Sequence, residues 1–446
     1  MSTRLVVIGG VAAGMSAAAK AKRENPKLEV IVYEQGSFIS YAACGMPYWL
    51  AGDIVDYHEL IARTPAQMAQ QGVIIHLNHR ALAIDPEAHR VVVRDLQTGR
   101  EFTEPYDRLI LAMGARPTVP LLPGVELPGV FSLRSLESGL SIQRFLHDQK
   151  PQKAVILGGG YLAVEMAETC RRLGMHVTLI IRSGQVLRSS LDNDMRAIVH
   201  AELIRHGIEL IQGTPIALEG NGRVQAVVTT NGHYQSELVV LGLGVQPNVE
   251  LAQAASVTLG TSGAIATDET MRTNLPDLFA AGDCCEAFHR VLDRPDYLPL
   301  GTTANKQGRI AGTNAAGGHE TFAGVVGTTV VRCFRLAIAS TGLTAARARA
   351  LGYDVQETRI QARDISPYFP GAADLYVKLV TDKKDGRLLG GQIIGEKGVA
   401  KRIDVLATAL YHSMTVSELQ QLDLSYAPPF APVWDPILVA ANVAAK

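Results

Sequence analysis

The feature that most constrains the fold of this chain is a pair of glycine turns, each of which follows an apolar strand. LVVIGGVAAG at 5–14 and AVILGGGYLA at 154–163 each run from a buried-strand pattern through glycines into a helical stretch, and the second copy begins 149 positions after the first. A second apolar strand follows each helix, at 28–33 and 176–181. This is the order of a βαβ unit, whose glycine turn lets the backbone approach a pyrophosphate. The sequence therefore predicts two dinucleotide-binding sites.

Further apolar runs and a change of pattern predict the domain organisation. The runs at 108–114, 237–244 and 278–283 each end in or next to glycine, which is typical of strands leaving a sheet beside a ligand. From about residue 326 the pattern becomes a hairpin with Asp385-Gly386 at its turn, followed by helical periodicity. We expect an α/β protein with two Rossmann-like domains and a C-terminal α+β domain. The predicted boundaries are 1–118 for the first part of domain one, 119–245 for domain two, 246–325 for the second part of domain one, and 326–446 for the α+β domain.

The first glycine turn carries a ribose-binding signal. Gly9 and Gly14 hold its outer positions, and Val11 stands where a middle glycine is usual. Glu34 ends the second strand 20 residues after Gly14, where a carboxylate can bind the ribose of a dinucleotide. A Rossmann-like turn without a ligand is the alternative interpretation.

The second glycine turn has a different charge at the same place. Gly158 and Gly160 are both present, but the matching strand ends in Ile181-Arg182 instead of an acid. A carboxylate there would bind the 2′-hydroxyl of NADH, whereas Arg182 can pair with the 2′-phosphate of NADPH. We therefore expect NADPH to be favoured over NADH, the alternative being that Arg182 is a solvated loop cation.

Cys44 is the candidate reactive thiol. It lies in FISYAACGMPY at 38–48. An inert core thiol is the usual interpretation of a free cysteine, but Gly45 and Pro47 indicate an irregular entry into a helix, whose dipole would favour the thiolate. The chain has five cysteines, too few for a disulfide framework at this length, which favours a reducing, cytoplasmic location. For the adjacent Cys284 and Cys285 we expect a packing role.

The order of these segments resembles that of a known family. Together with TNLPDLFAAGD at 273–283, it resembles the FAD-dependent pyridine nucleotide-disulfide oxidoreductases over essentially the whole chain. The resemblance implies FAD at the first turn, NAD(P)H at the second, and a dimerisation role for 326–446. It also implies that Asp283 binds the ribityl-phosphate arm of FAD, that Tyr161 gates the nicotinamide pocket, and that Glu165 lies near the nicotinamide.

Within that family, the chain is most similar to one branch. Members that reduce glutathione or lipoamide disulfides have a second cysteine where this chain has Trp49, and peroxidases and water-forming oxidases have a histidine where it has Ala12. Coenzyme A disulfide reductases have segments similar to GGVAAGMSA at 9–17, YFPG at 368–371 and YAPP at 426–429. This likeness implies that Cys44 alternates between a thiol and a mixed disulfide with coenzyme A.

The same resemblance implies a site shared between two subunits of a homodimer. Tyr426 and Tyr368 of one subunit would face Cys44 of the other, where a phenol can donate a proton to a departing thiolate. Two packed interface tyrosines are the alternative. Ser40, Arg23 and Arg63 are candidates for contacts to the small-molecule substrate, with solvated surface charge as the alternative for the two arginines.

These observations predict an enzyme that transfers electrons from NAD(P)H through FAD and Cys44 to coenzyme A disulfide. An NAD(P)H oxidase or a persulfide or polysulfide reductase using the same cysteine is the alternative, and a non-catalytic flavoprotein that senses NAD(P)H is a third hypothesis. A net charge of −1 argues against nucleic acid as a partner, and the sequence lacks the roughly 18-residue apolar run of a membrane span. His76 and His79 have no accompanying ligand cluster, so we expect no metal site.

Overall fold

The structure, a computed structural model, describes residues 3–446. Its strands are β1 (Arg4–Ile8), β2 (Glu29–Glu34), β3 (Val73–Leu77), β4 (His79–Asp85), β5 (Arg90–Asp95), β6 (Glu101–Pro105), β7 (Arg108–Leu111), β8 (Ala115–Pro117), β9 (Val130–Phe131), β10 (Lys153–Leu157), β11 (His176–Ile181), β12 (Ile208–Gln212), β13 (Pro215–Glu219), β14 (Ala226–Thr229), β15 (Gly232–Gln235), β16 (Leu238–Leu241), β17 (Val245–Pro247), β18 (Leu278–Ala280), β19 (Ala287–His289), β20 (Arg294–Asp296), β21 (Thr329–Cys333), β22 (Leu336–Gly342), β23 (Val355–Arg363), β24 (Asp374–Asp382) and β25 (Leu388–Gly395). Its α-helices are α1 (Ala12–Glu24), α2 (Met46–Leu50), α3 (Pro65–Gln70), α4 (Leu136–Gln149), α5 (Tyr161–Arg172), α6 (Asn193–Arg205), α7 (Glu250–Ala254), α8 (Gly301–Ala315), α9 (Ala345–Ala350), α10 (Val399–Tyr411), α11 (Val416–Leu419) and α12 (Pro436–Ala444), with short 3₁₀ helices at Ala43–Gly45 and Tyr57–Leu60.

The first sheet is parallel and has the order β18-β7-β1-β2-β3. Both of its faces are covered, since alternate residues of β1 pack in opposite directions: Leu5 and Val7 toward α1 and α8, Val6 and Ile8 toward the antiparallel β4-β5-β6 sheet. Burial on both faces explains the continuous apolar runs of the sequence. The chain leaves this sheet after β7 and returns to it at β18.

The second sheet is also parallel, with the order β12-β11-β10-β16-β9. Its central strand β10 leads through the second glycine turn into α5, just as β1 leads through the first into α1. An antiparallel ribbon of β8 and β17 lies between the two sheets in chain order. This ribbon supports the domain boundaries at 118 and 245, which we retain as a proposal, together with the boundary at 325.

The third sheet is antiparallel and has the order β21-β22-β25-β24-β23. The predicted hairpin is confirmed: β24 and β25 are joined through Gly386, whose φ of +72° is a conformation that favours glycine. Apolar residues of α10 and α12, including Ile403, Leu406 and Ile437, pack into the core of this α+β unit. The fold class is therefore as expected.

Several strands end earlier than the apolar pattern predicts. Strands β7, β16 and β18 stop at Leu111, Leu241 and Ala280, three residues before the predicted ends. The residues between the observed and the predicted strand ends are packed in the core but do not pair in a sheet. Ala281, for example, is completely buried beside α1 and α8. Burial alone does not distinguish a strand from the loop that follows it.

Candidate functional site

The first glycine turn leaves a helix end free for a ligand. A Cβ at Gly9 would overlap the carbonyl oxygen of Ala112, and one at Gly14 would overlap that of Gly9, so the turn is too tight for side chains. Helix α1 follows with Val11 at its N-cap, no side-chain cap and no acidic residue in its first turn. Its first N–H groups and its positive dipole are thus available to a phosphate.

The second glycine turn has the same construction. A Cβ at Gly158 would overlap the carbonyl oxygen of Gly242, whereas one at Gly160 would meet nothing within 4 Å. Helix α5 begins after Gly160 without a side-chain cap, in contrast to α3 and α4, which are capped by Thr64 and Ser135. Helices α6, α8 and α10 also begin without a side-chain cap, so the open end alone does not mark a site. What distinguishes α1 and α5 is that each follows a glycine turn at the end of a parallel strand, the place where a dinucleotide phosphate binds.

Glu34 lies at the end of β2, beside the first turn, and is 9% exposed. Its carboxylate accepts hydrogen bonds from the N–H groups of Gly10 at 2.6 Å and Gly36 at 2.7 Å. Burial raises the pKa of this carboxyl, and the backbone donors oppose the rise. The carboxylate is thus fixed in position and retains acceptor capacity for ribose hydroxyls.

Cys44 is the exposed thiol of the chain, and the structure positions it through an irregular segment. It lies in the 3₁₀ helix Ala43–Gly45, which leads directly into α2. The segment is tied to the first glycine turn, because the N–H of Ser40 donates to the carbonyl of Gly10 at 2.9 Å. Ser40 itself has a φ of +49°, a left-handed conformation that is uncommon outside glycine.

The expectation that Cys44 favours the thiolate is wrong for this arrangement. Burial raises the pKa of the Cys44 thiol, and the negative charges of Glu165 and Asp283 raise it further, while Arg134 opposes them. Helix α2 has only five residues, so its dipole is small against these neighbouring charges. These charges belong to residues that are far from Cys44 in sequence.

Glu165 is held by a residue that the sequence analysis did not single out. The hydroxyl of Tyr48, one helical turn after Cys44, donates to the carboxylate of Glu165 at 2.9 Å. Burial raises the pKa of Glu165 to about 7, with a further rise from Glu168 and opposition from Arg332. The guanidinium of Arg332 lies 4.8 Å from the ring centre of Tyr48 and connects the third sheet to this cluster.

Asp283 follows β18 and pairs with Arg134, a second residue that the sequence analysis missed. The guanidinium of Arg134 lies 2.6 Å from the Asp283 carboxylate and also donates to the carbonyl of Ala115 at 3.1 Å. Tyr48 is the last residue of the Cys44 segment, and its spacing of four from Cys44 on a helical stretch could have indicated its role. Arg134 had no such local signal, because its partner lies 149 residues away.

Arg182 is exposed at the end of β11, as the sequence predicts for a phosphate-binding cation. Arg188 in the same loop is also exposed, and neither guanidinium makes a salt bridge with any residue of the described chain, 3–446. Tyr161, the first residue of α5, is half-buried, and its hydroxyl contacts Thr329 of the third sheet at 2.6 Å.

The C-terminal tyrosines lie together on an exposed aromatic surface. Tyr368 and Tyr426 are 74% and 48% exposed, and hydrogen bonding of the Tyr426 hydroxyl to Tyr368 raises the pKa of Tyr426. Exposed apolar side chains continue this surface; they are Phe369, Phe430, Val433 and Trp434. Within residues 3–446, no hydrogen bond connects either tyrosine to the Cys44 segment.

The substrate candidates are only partly brought together. Ala62, next to Arg63, donates its N–H to the carbonyl of Ser40 at 2.8 Å, so Arg63 lies alongside the Cys44 segment. Arg23 is exposed in the last turn of α1, at the end opposite the glycine turn. A ligand that touched both arginines would have to be extended, as coenzyme A is.

The remaining cysteines and histidines form no second site. Cys284 and Cys285 are buried free thiols whose sulfurs lie 3.7 Å apart. His76 and His79 belong to different strands and lie against the ring of Tyr33. Across the described residues there is no metal-binding group of three or more His, Cys, Asp or Glu side chains, and no helix has the length and hydropathy that a membrane crossing requires.

The first site fits FAD and the second fits a nicotinamide coenzyme. The first combines an uncapped helix end with Glu34 at the ribose position and Asp283 farther along the same sheet edge, where β7 and β18 end. The second combines an uncapped helix end with open space above Gly160 and exposed cations beyond β11. The Cys44 segment is connected to both units, through Ser40 to the first glycine turn and through Tyr48 to Glu165 of α5.

Comparison with curated proteins gives relatives along nearly the whole chain. The NAD(P)H coenzyme A polysulfide/persulfide reductase of Pyrococcus horikoshii is 39% identical over 443 residues, which cover 99% of this chain and 98% of the relative. A coenzyme A disulfide reductase of Staphylococcus aureus is 29% identical over 437 residues, covering 96% of each chain.

Solved structures and family models agree with these relatives. Reduced CoADR-RHD of Bacillus anthracis is similar with a TM-score of 0.97 at 35% identity, covering 100% of this chain and 80% of that one. An engineered water-forming NADPH oxidase bound to NADPH, a mutant of the NADH oxidase of Lactobacillus brevis, has a TM-score of 0.95 at 29% identity, covering 99% and 98%. Residues 3–311 match the model of the pyridine nucleotide-disulphide oxidoreductases and residues 328–436 that of their dimerisation domain. The chain therefore belongs to the FAD-dependent pyridine nucleotide-disulphide oxidoreductase family.

Proposed function

We propose that this protein is an NADPH-preferring reductase of coenzyme A disulfide that works through Cys44. The observation that carries the proposal is that Cys44 is the exposed cysteine among five, in a segment that is bonded to the first glycine turn through Ser40 and to Glu165 of α5 through Tyr48. The other four are buried, and Trp49 fills the position of a second redox cysteine. A lone thiol can form a redox disulfide only with a second, dissociable thiol, and coenzyme A would supply one.

Cys44 carries the sulfur chemistry in this proposal. Its thiolate attacks one sulfur of coenzyme A disulfide, forms a Cys44–S–S–CoA bond and releases one coenzyme A thiolate. Two electrons then break that bond, which restores the Cys44 thiolate and releases the second coenzyme A; bound FAD would supply them after accepting a hydride from the nicotinamide. The overall reaction consumes one NADPH, one proton and one disulfide, and yields NADP⁺ and two thiols.

The proton required by that reaction can come from two places. Burial raises the pKa of Glu165 to about 7, so near neutral pH this carboxyl exchanges its proton readily and can serve as a proton donor. Tyr426 and Tyr368 are exposed, and in a homodimer the copies on the second subunit would face the sulfur and protonate a departing thiolate. The match to a dimerisation domain supports this shared arrangement.

The coenzyme preference is supported by a spacing argument. The engineered NADPH oxidase differs from its NADH-dependent parent by five substitutions: Gly to Ala, then 18 positions later Asp to Ala, Ala to Arg and Met to Ser in succession, then Pro to Arg five positions beyond. This chain has Ala163 in its glycine turn and, at the same spacing, Ile181, Arg182, Ser183 and Arg188. At four of these five positions this chain has the same residue as the engineered NADPH oxidase. At the fifth, Ile181 stands where the engineered enzyme has Ala in place of the parent's Asp. We therefore add Ser183 and Arg188 to Arg182 as 2′-phosphate ligands.

Ser40, Arg63 and Arg23 are proposed to contact coenzyme A. Ser40 and Arg63 lie alongside the Cys44 segment, where the thiol arm would enter, and Arg23 lies farther along α1. The phosphates at the far end of an extended ligand would pair with Arg23.

Persulfide or polysulfide reduction with coenzyme A is the second candidate function. A relative with that name is 39% identical over nearly the full length, more than the 29% of the disulfide reductase. The same Cys44 chemistry would apply, with a sulfane sulfur in place of the second coenzyme A.

The test uses purified flavoprotein under anaerobic conditions. NADPH should be oxidised rapidly when coenzyme A disulfide is added, and the non-reduced protein should carry a mass increment of one coenzyme A that dithiothreitol removes. Cys44→Ser should lose at least about a thousandfold of this activity and the increment, yet still be bleached by NADPH. Cys170→Ala, which removes a buried cysteine of α5, is the control and should retain both. Faster turnover with polysulfide or oxygen than with the disulfide would overturn the assignment of the acceptor.

A further inference from the structure

Tyr161 is anchored to the third sheet by a triangle of hydroxyl groups. Its phenol oxygen lies 2.6 Å from Oγ1 of Thr329 and 3.4 Å from Oγ of Ser340, and these two oxygens are 3.1 Å apart. Tyr161 is the first residue of α5, at the second glycine turn, whereas its partners are 168 and 179 residues further along the chain. The triangle therefore connects the nucleotide site to a different domain.

The geometry of the third sheet places both partners on one side. Thr329 of β21 and Ser340 of β22 are directly opposite each other in the antiparallel register, so their side chains share a face. Their neighbours Thr328 and Thr341 form a separate hydroxyl pair at 2.8 Å that has no bond to Tyr161. The chain thus contains two similar hydroxyl pairs side by side, and one of them bonds the tyrosine.

We propose that Thr329 and Ser340 are positioning residues that hold the Tyr161 ring in its resting orientation, and that the nicotinamide must break this bond to reach its binding position. The proposal rests on the proposed function and on the expectation from the family resemblance that Tyr161 lies at the nicotinamide pocket. We call this triangle of Tyr161, Thr329 and Ser340 the latch. The free energy needed to break it reduces the free energy of nicotinamide binding, so the latch keeps the resting site closed and lowers the affinity for the coenzyme. One or two net hydrogen bonds correspond to a factor of about 3 to 10 in affinity.

The experiment compares two ligands on the FAD-loaded enzyme by titration calorimetry. NADP⁺ contains the nicotinamide, whereas adenosine 2′,5′-bisphosphate contains only the adenosine and 2′-phosphate part. The double variant Thr329→Val, Ser340→Ala should bind NADP⁺ about 3- to 10-fold more tightly and bind the bisphosphate unchanged. Thr328→Val, which removes the neighbouring hydroxyl pair, should leave both affinities unchanged.

A double-mutant cycle tests whether the effect passes through the phenol. Tyr161→Phe should tighten NADP⁺ binding by a similar factor, and adding the Thr329→Val, Ser340→Ala pair to it should change nothing further. Additive effects, equal effects on both ligands, or equal effects of Thr328→Val would overturn the latch. Melting temperatures identify any variant whose fold is disturbed, and the single Thr329→Val then replaces the double variant.

The outcomes also separate this inference from the proposed function. NADPH should bleach the bound flavin of the wild-type enzyme in the absence of any disulfide. If it does and the latch variants behave like Thr328→Val, the latch is wrong while the function stands. If neither NADPH nor NADH reduces the flavin, the proposed function itself fails.

Discussion

The two glycine-turn units share a backbone and differ in what surrounds it. In the first, Glu34 is buried at the strand end and accepts the backbone N–H groups of Gly10 and Gly36. In the second, Arg182 is exposed at the equivalent strand end, and the space beside Gly160 is open. The same βαβ scaffold thus presents a buried carboxylate at one strand end and an exposed guanidinium at the other.

This difference teaches how one fold can hold one dinucleotide and exchange another. A buried carboxylate that already accepts two backbone N–H groups is preorganised, so a ligand bound there loses little further entropy and leaves slowly. Exposed guanidiniums recognise a phosphate by charge and must be ordered on each binding event. Enclosure at the first site suits FAD as a resident group, and openness at the second suits a coenzyme that departs after each turnover.

The largest effect should come from removing the charge that distinguishes the second unit. Arg182→Ala with Arg188→Ala should lower kcat/KM for NADPH by about 100-fold and leave that for NADH within about twofold, because each charged hydrogen bond to a phosphate contributes about 1.5 kcal/mol or more. Steady-state kinetics with both coenzymes measures this. Arg223→Ala, an exposed arginine of the same domain, is the control, and a parallel loss with NADH would contradict the assignment.

A smaller effect should appear in the pH dependence of stability. The pKa of Glu165 is raised from 4.5 to about 7 in the folded protein, so ionising it costs folding free energy that grows between those pH values and is complete above 7. Glu165→Gln removes this cost. It should therefore raise the free energy of unfolding by about 2 kcal/mol more at pH 8 than at pH 5.5.

Urea denaturation of wild-type and variant enzyme at the two pH values checks that prediction. Glu87→Gln, an exposed carboxyl between β4 and β5, should show no such difference. A Glu165→Gln benefit that stays constant with pH would mean that burial does not hold the proton on this residue in the folded state.

The smallest effect should come from the capped helices. Thr64 caps α3 with a reciprocal side-chain and backbone arrangement, so Thr64→Ala should lower the free energy of unfolding by about 1 kcal/mol. It should leave the affinities for FAD and NADP⁺ unchanged, since α3 does not begin at a glycine turn. Denaturant titration and coenzyme titration on the same samples check both statements. A loss of coenzyme affinity in Thr64→Ala would contradict the assignment of α3 as a helix whose N-terminus binds no ligand.

Local patterns predicted much of the fold and part of the candidate site. The βαβ units, the hairpin at Gly386 and the positions of Gly9 and Gly158 follow from periodicity and from turn chemistry, which act over a few residues. The strand ends at Leu111 and Ala280 did not, because packed loop residues are as apolar as paired strand residues. The expectation that the helix dipole favours the Cys44 thiolate was wrong for a related reason: the pKa of this thiol also depends on Glu165, which is 121 residues away.

Glycine spacing, the apolar strand runs and the single cysteine in a short irregular segment were determined by the sequence alone, because each is a property of neighbouring residues. The convergence of Tyr48 on Glu165, of Arg134 on Asp283 and of Thr329 on Tyr161 was decided only by the tertiary structure. Each of these pairs joins residues more than a hundred positions apart, and no local periodicity encodes such a distance. Hydrogen bonds and ion pairs form wherever packing places donors beside acceptors, so they become visible only after the sheets and helices are assembled.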